Sequence, residues 1–227
     1  MQTLLLPGMY GTGRLFAKLL VQLPSSLNAR AVAYPAHEAL SYDALLERIE
    51  VPAEPFAIVA ESFSGPLGIR LALRHQHRVR ALVLVATFVS NPTRIAAQLG
   101  ALLGPYLFHV KPRAAMVRAL LLGETASDDQ VEAVRDAVGS VAPSVMSRRL
   151  KEIVAVNVER ELAELRVPTL WITGSRDRLV SHKQLKRVKE RRGELESVEL
   201  DAPHLVLQAK AAEAANVIAQ FLARFGS

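Results

Sequence analysis

Short apolar runs along this chain alternate with longer stretches in which apolar residues recur every three or four positions. Thr3 to Leu6 is an apolar run stopped by Pro7-Gly8, which predicts a short strand. Leu15, Leu19, Leu20 and Leu23 share helical spacing over Arg14 to Leu23. Ala29 to Tyr34 alternates and predicts a strand closed by Pro35. Ser41 stands where it caps a helix running through Leu45 and Leu46 to Ile49. Phe56 to Ala60 predicts another strand, with a helix over Pro66 to Leu73 close behind it. The near-continuous run "VRALVLVATF", Val79 to Phe88, has the length and branched residues of a strand buried on both faces.

Strands that alternate with helices imply a parallel sheet. The alternation then breaks. From about Asn91 to Leu165 only helical patterns occur, one of them opened by a capping box at Ser127-Asp128-Asp129-Gln130. It resumes with the strand "PTLWITG", a basic helix over 181–192, the strand "ESVEL" and a long final helix from about Leu205 to Phe225. The expectation is one α/β domain over residues 1–227, a mostly parallel sheet of about six strands with flanking helices, carrying a helical cap inserted over 91–165.

Composition narrows the function classes. The chain has 227 residues, half of them apolar and 22% charged, as in globular domains. It has no cysteine, which removes disulfides, thiolate metal sites and cysteine nucleophiles together. That absence fits a reducing compartment, and the expected location is cytoplasmic. The segment "MQTLLLPGMYG" lacks a basic leader region, so no signal peptide is expected. No apolar stretch approaches the length of a membrane span. Net charge is +6, but the cations are dispersed and aromatic residues make up only 5%, which argues against nucleic acid as a partner.

The corner "IVAESFSGPLGIR", residues 58–70, turns abruptly from strand into helix. A serine hydroxyl is a weak nucleophile at neutral pH and needs a neighbouring base. A tight strand-to-helix turn exposes its oxygen and aims the next backbone N–H at the reacting carbonyl. Such a turn demands small residues two before and two after. Ser62 has Ala60 and Ser64 at those places; Ser64 would have Pro66, which does not fit. The strict glycine pattern is replaced by alanine and serine. Two further loops carry chemistry after strands: "WITGSRDRLV" places Asp177, and "ELDAPHLVLQ" places His204. Parallel strands end on one edge of the sheet, so Ser62, Asp177 and His204 are expected to converge there. A loop after the first strand, "LLLPGMYGTGRLF", has Gly8, Gly11 and Gly13 to open its backbone.

The motifs "PGMYGTG", "AESFSG", "TGSRDRLV" and "APHLVLQ", in the order Ser, Asp, His, resemble the α/β-hydrolase superfamily over nearly the whole chain. The first two strands usual in that superfamily are missing from the pattern, and its customary HG is PG here, so the resemblance implies a small version of the fold. It implies that Ser62 is the nucleophile, His204 the base and Asp177 the residue orienting His204. It also implies that the backbone N–H groups of Met9 and Phe63 receive the oxyanion. Ser62 argues against dehalogenases and epoxide hydrolases, which use a carboxylate nucleophile. Tyr10, Leu102, Leu103 and Tyr106 are expected at the substrate, the last three within the apolar cap stretch "IAAQLGALLGPYLFHV".

His37, His75, His77, His109 and His182 show no metal-ligand spacing, so neither a metal nor another cofactor is expected. "HKQLKRVKERR", 182–192, places Leu185 and Val188 on one face and six cations elsewhere; Arg148, Arg149 and Lys151 make a second basic cluster. Either is a solvated face or a docking site for an acidic acyl carrier. The resulting expectation is a serine hydrolase cleaving carboxylic esters through an acyl-enzyme, with a small-molecule ester as its substrate. A thioesterase or carrier-linked methyl ester esterase is the alternative enzyme, and a hydrolase-like binding protein without turnover is the alternative of another class.

Overall fold

The computed structural model describes residues 1–92, 108–193 and 195–226. Among them, β1 (Gln2–Leu6), β2 (Ala29–Ala31), β3 (Phe56–Glu61), β4 (Val79–Val85), β5 (Thr169–Gly174) and β6 (Glu196–Leu200) form one sheet in the order β2-β1-β3-β4-β5-β6. Every pairing in it is parallel. Side chains on successive strand residues point to opposite faces. Phe56, Ile58 and Ala60 therefore enter one core with Leu82, Leu84 and Trp171. Ala57 and Val59 enter the other with Val83, Val85 and Ile172. Burial on both faces is why these strands read as unbroken apolar runs.

Helices cover both faces. On the first core lie α2 (Tyr42–Arg48) and α3 (Gly65–Arg74). On the second lie α1 (Ala17–Gln22) and the C-terminal helix Ala211–Ala223. The Ser41 hydroxyl accepts from Ala44 N–H and caps α2, as its position predicts. Between β4 and β5 the described residues form α4 (Ala114–Val117), α5 (Asp128–Gly139), α6 (Pro143–Ala155) and α7 (Glu159–Glu164). The capping box at Ser127 and Gln130 opens α5. After β5 comes α8 (Lys183–Arg191), and after β6 come α9 (Val206–Ala209) and α10 (Ala211–Ala223).

Three boundaries differ from the pattern. The strand expected over Val79 to Phe88 ends at Val85, where Ala86 takes φ of +46°. The strand expected over Ala29 to Tyr34 pairs only as far as Ala31; beyond it, Tyr34 N–H turns to the Gly11 carbonyl at 2.8 Å. The long final helix is divided at Lys210, whose φ of −130° is not helical. Among the described residues no helix is long and apolar enough to cross a membrane.

The strand order reverses direction between β1 and β3. In open parallel sheets the loops leaving two such strands part to either side and open a crevice at the carboxyl edge. Leu6 and Ala60 are register partners there, so the loops carrying Met9 and Ser62 leave the sheet side by side.

Candidate active site

Ser62 follows β3 directly and has φ of +50°, a conformation that costs a non-glycine residue steric strain. The turn holds because its neighbours crowd in. A Cβ on Gly65 would stand 1.9 Å from Thr87 Oγ1, so only glycine lets α3 approach β4 this closely. Thr87 Oγ1 donates to the Ser62 carbonyl at 2.5 Å. Gly68 packs on Ala60 in the same way, with its notional Cβ 2.7 Å from the Ala60 Cβ. These contacts give a physical reason for a small residue at position 60.

The three residues predicted from separate loops meet. Ser62 Oγ lies 2.9 Å from His204 Nε2, and His204 Nδ1 lies 2.8 Å from Asp177 Oδ2. Asp177 Oδ1 accepts from the N–H groups of Leu179 and Val180 at 2.8 and 2.9 Å, which fixes the carboxylate plane. His204 is only 4% exposed. Burial pushes its ring toward the neutral form, but Asp177 first and Glu61 second outweigh this and raise its pKa above the ordinary 6.5. Burial likewise pushes the Asp177 carboxyl up, yet the His204 ring and the two backbone N–H groups hold it below 3.8. The arrangement can take a proton from Ser62 and stabilise the imidazolium that results.

The loop after β1 is pinned from two sides. Ser64 Oγ donates to the Pro7 carbonyl and meets Tyr34 OH at 2.7 Å. Ser64 is thus buried and bonded away from His204. Arg149, from α6, donates to the carbonyls of Met9 and Pro35, both at 2.9 Å. This corrects the expected basic cluster at 148–151: Arg149 is 1% exposed and sits 5.7 Å from the Tyr34 ring centroid. Arg148 pairs with Glu152 at 2.8 Å, and only Lys151 of the three faces solvent freely. Phe63 is enclosed, stacked on Tyr42 at 4.7 Å, and its carbonyl accepts the Tyr42 hydroxyl at 2.8 Å. Met9 and Phe63 therefore stand on backbone that is held in place from both directions.

Tyr10 does not offer its hydroxyl to the site. The hydroxyl donates to Glu61 Oε2, and the ring packs under Val117, Leu122, Val131 and Leu205 with 7% exposed. Leu102, Leu103 and Tyr106 lie outside the described residues. The basic helix is present as α8, with Lys183, Lys186 and Lys189 exposed and a shallow surface groove of about 450 Å³ lined by His182, Leu185, Lys186, Lys189 and Glu190. Arg192, just past its end, turns inward to the Val167 carbonyl at 2.7 Å.

Glu61, Gln208 and Arg149 were not anticipated as parts of the site. A signal existed for each. Glu61 is a carboxylate among small residues at the enclosed corner. Gln208 follows His204 by four positions. Arg149 falls four residues after Val145 and four before Ile153, on the buried stripe of α6.

A family model described as serine aminopeptidase, S33, matches residues 41–211. A pimeloyl-(acyl-carrier protein) methyl ester esterase of Neisseria meningitidis serogroup C is 26% identical over 228 residues, covering 90% of this chain and 84% of the relative. Among solved structures, an enol-lactonase from Burkholderia xenovorans has a TM-score of 0.76 at 18% identity, over 98% of this chain and 91% of the other. A thermophilic esterase from Thermogutta terrifontis has a TM-score of 0.83 at 14% identity, over 100% and 91% of the two chains. At such identities these structural likenesses speak for the fold.

Proposed function

Because the chain belongs to the serine aminopeptidase S33 family of α/β-hydrolases, we propose that it is a serine hydrolase that cleaves carboxylic esters through an acyl-enzyme. The observation that carries this reading is the continuous chain from Ser62 Oγ through His204 to Asp177, built on a serine held at positive φ. His204 Nε2 takes the Ser62 proton as Oγ attacks the ester carbonyl. The N–H groups of Met9 and Phe63 receive the oxyanion. The tetrahedral intermediate collapses, His204 returns the proton to the departing alcohol, and the acyl group stays on Ser62. Water, activated by His204, then releases the acid and restores the hydroxyl.

An ester fits the site better than a peptide with a free N-terminus. Reading an ammonium group needs a carboxylate open to substrate. Glu61 and Asp177, the two acidic groups acting on His204, are both enclosed. Labelling intact protein with a fluorophosphonate tests the reading. Modification at Ser62 is expected, together with turnover of p-nitrophenyl esters in a series from acetate to palmitate. An unlabelled Ser62 would leave a hydrolase-like binding protein.

A second reading refines the first: the ester is a methyl ester on a carrier-linked acyl chain. It is favoured by the 26% identity to the Neisseria meningitidis esterase and by the exposed lysines of α8, whose charge suits an acidic carrier.

A further inference from the structure

Glu61 is the last residue of β3 and immediately precedes Ser62, yet it is fully buried. A carboxylate at such a depth is normally paired with a cation, because removal from water is costly. Among the described residues no lysine or arginine is bonded to it. Its partners are neutral: Tyr10 OH donates to Oε2, and Gln208 Nε2 donates to the same oxygen at 3.3 Å. Gln208 Nε2 also reaches Tyr10 OH at 3.4 Å. Oε1 is buried with no hydrogen-bond partner.

Three separate segments meet in this cluster. Tyr10 comes from the loop that carries Met9, Glu61 from the elbow that carries Ser62, and Gln208 from α9, which follows His204. A structural clamp alone would not need a charge. A glutamine in its place would set a buried amide NH2 where Oε1 now stands unbonded, at a comparable cost, so what distinguishes the native side chain is its charge. The partner for that charge is the ring of His204, whose Nε2 lies 2.9 Å from the Oγ of Ser62, the residue next to Glu61, and each of the two groups favours the charged form of the other.

Resting on the serine-hydrolase reading, we propose that Glu61 is a positioning residue for His204: its enclosed carboxylate, held by Tyr10 and Gln208, supplies a second negative charge, beside Asp177, against which the imidazolium forms during acylation. Tyr10 remains a hydrogen donor throughout, since burial and Glu61 push its own ionisation well above the ordinary range. Burial raises the Glu61 carboxyl above its ordinary 4.5, and the Tyr10 hydroxyl, the His204 ring, Gln208 and the backbone of Gly8 limit that rise. The groups that act on His204 are thus Asp177, Ser62 and Glu61, and those that act on Glu61 are Tyr10, Gln208, His204 and the backbone of Gly8.

The test is the titration of His204 in the full chain, followed by NMR of its ring and, separately, by the acid limb of kcat/KM for p-nitrophenyl acetate. Glu61→Gln keeps the acceptor for Tyr10 and removes the charge. His204 is expected to titrate about 0.5–1 pH unit lower, with kcat down about tenfold. Glu61→Asp, which keeps the charge, is expected to restore most of the shift. Tyr10→Phe strips Glu61 of its main donor and is expected to move the titration in the same direction; it carries the test if Glu61→Gln fails to fold. An unmoved His204 titration in these variants overturns the proposal and leaves Glu61 as a clamp or a protonated acid. Absence of ester turnover in the wild type would instead overturn the ester reading, and the NMR titration would still decide the role of Glu61.

Discussion

Arg149 donates a 2.9 Å hydrogen bond to the carbonyl of Met9, a residue 140 positions earlier in the chain. A guanidinium from α6 thereby holds the loop that lies beside Ser62. Burial pulls its pKa down to about 10, still far above neutral, so the cation is kept at working pH. At this point α6 is tied directly to the β1 loop.

Replacing Arg149 with leucine leaves the carbonyls of Met9 and Pro35 without their donor in a half-buried place. A loss of about 2–4 kcal/mol is expected in urea unfolding. Because the loop carrying Met9 loosens, kcat is expected to fall more than KM rises. Gly11→Ala attacks the same contact from the other side: Gly11 has φ of +69°, and a Cβ there would stand 2.5 Å from Arg149 Nη1. A loss of at least about 1 kcal/mol is expected. Equal stability of both variants and the wild type would mean the loop holds without Arg149.

Ser62 and Ser64 are expected to separate cleanly. Ser62→Ala should reduce ester turnover by about 10⁴-fold or more, with little change in thermal stability. Ser64→Ala removes the donor to the Pro7 carbonyl and the partner of Tyr34 OH, so it is expected to destabilise by about 1–3 kcal/mol while keeping turnover. The reverse pattern, stable and inactive for Ser64→Ala, would move the nucleophile.

Activity should switch with the charge of His204. Catalysis needs the neutral ring in the free enzyme, and its pKa lies above 6.5. The acid limb of kcat/KM is therefore expected to have its midpoint above pH 6.5, with a plateau at higher pH. Folding stability has the opposite sign for this group: the gain from the charged pair is complete below 6.5 and is lost as pH rises through the raised value. For Asp177, held below 3.8, the gain is present above 3.8 and disappears as pH falls through the lowered value. Asp177→Asn is expected to cut kcat by about 10⁴-fold through the wrong tautomer of His204. A rate independent of pH from 5 to 9 would exclude a histidine base.

The lysines of α8 give the carrier reading its own test. Raising salt from about 0.05 to 0.5 M shortens the screening length from roughly 14 to 4 Å. For a methyl ester on an acidic carrier, kcat/KM is expected to drop steeply, and for a neutral p-nitrophenyl ester to stay nearly constant. Charge reversal at Lys186 and Lys189 should reproduce the drop for the carrier substrate only. Equal salt dependence of the two substrates would make these lysines a solvated face.

The sequence by itself determined what depends on local spacing. Apolar runs bounded by proline and glycine placed the strands, and the break in their alternation placed a run of helices between β4 and β5. The order of Ser62, Asp177 and His204 after three parallel strands put them on one edge, since strand direction alone decides which ends share that edge. Partner choice among polar residues was not legible in the same way. Arg149 read as one of three surface cations, and Tyr10 as a side chain open to substrate. Only tertiary packing turned Arg149 to Met9 and Tyr10 to Glu61, because a buried polar group takes whatever donor or acceptor the fold brings to it, here from 140 and 51 residues away. Periodicity reports which face of an element is buried; it carries no information about which distant segment will be packed there.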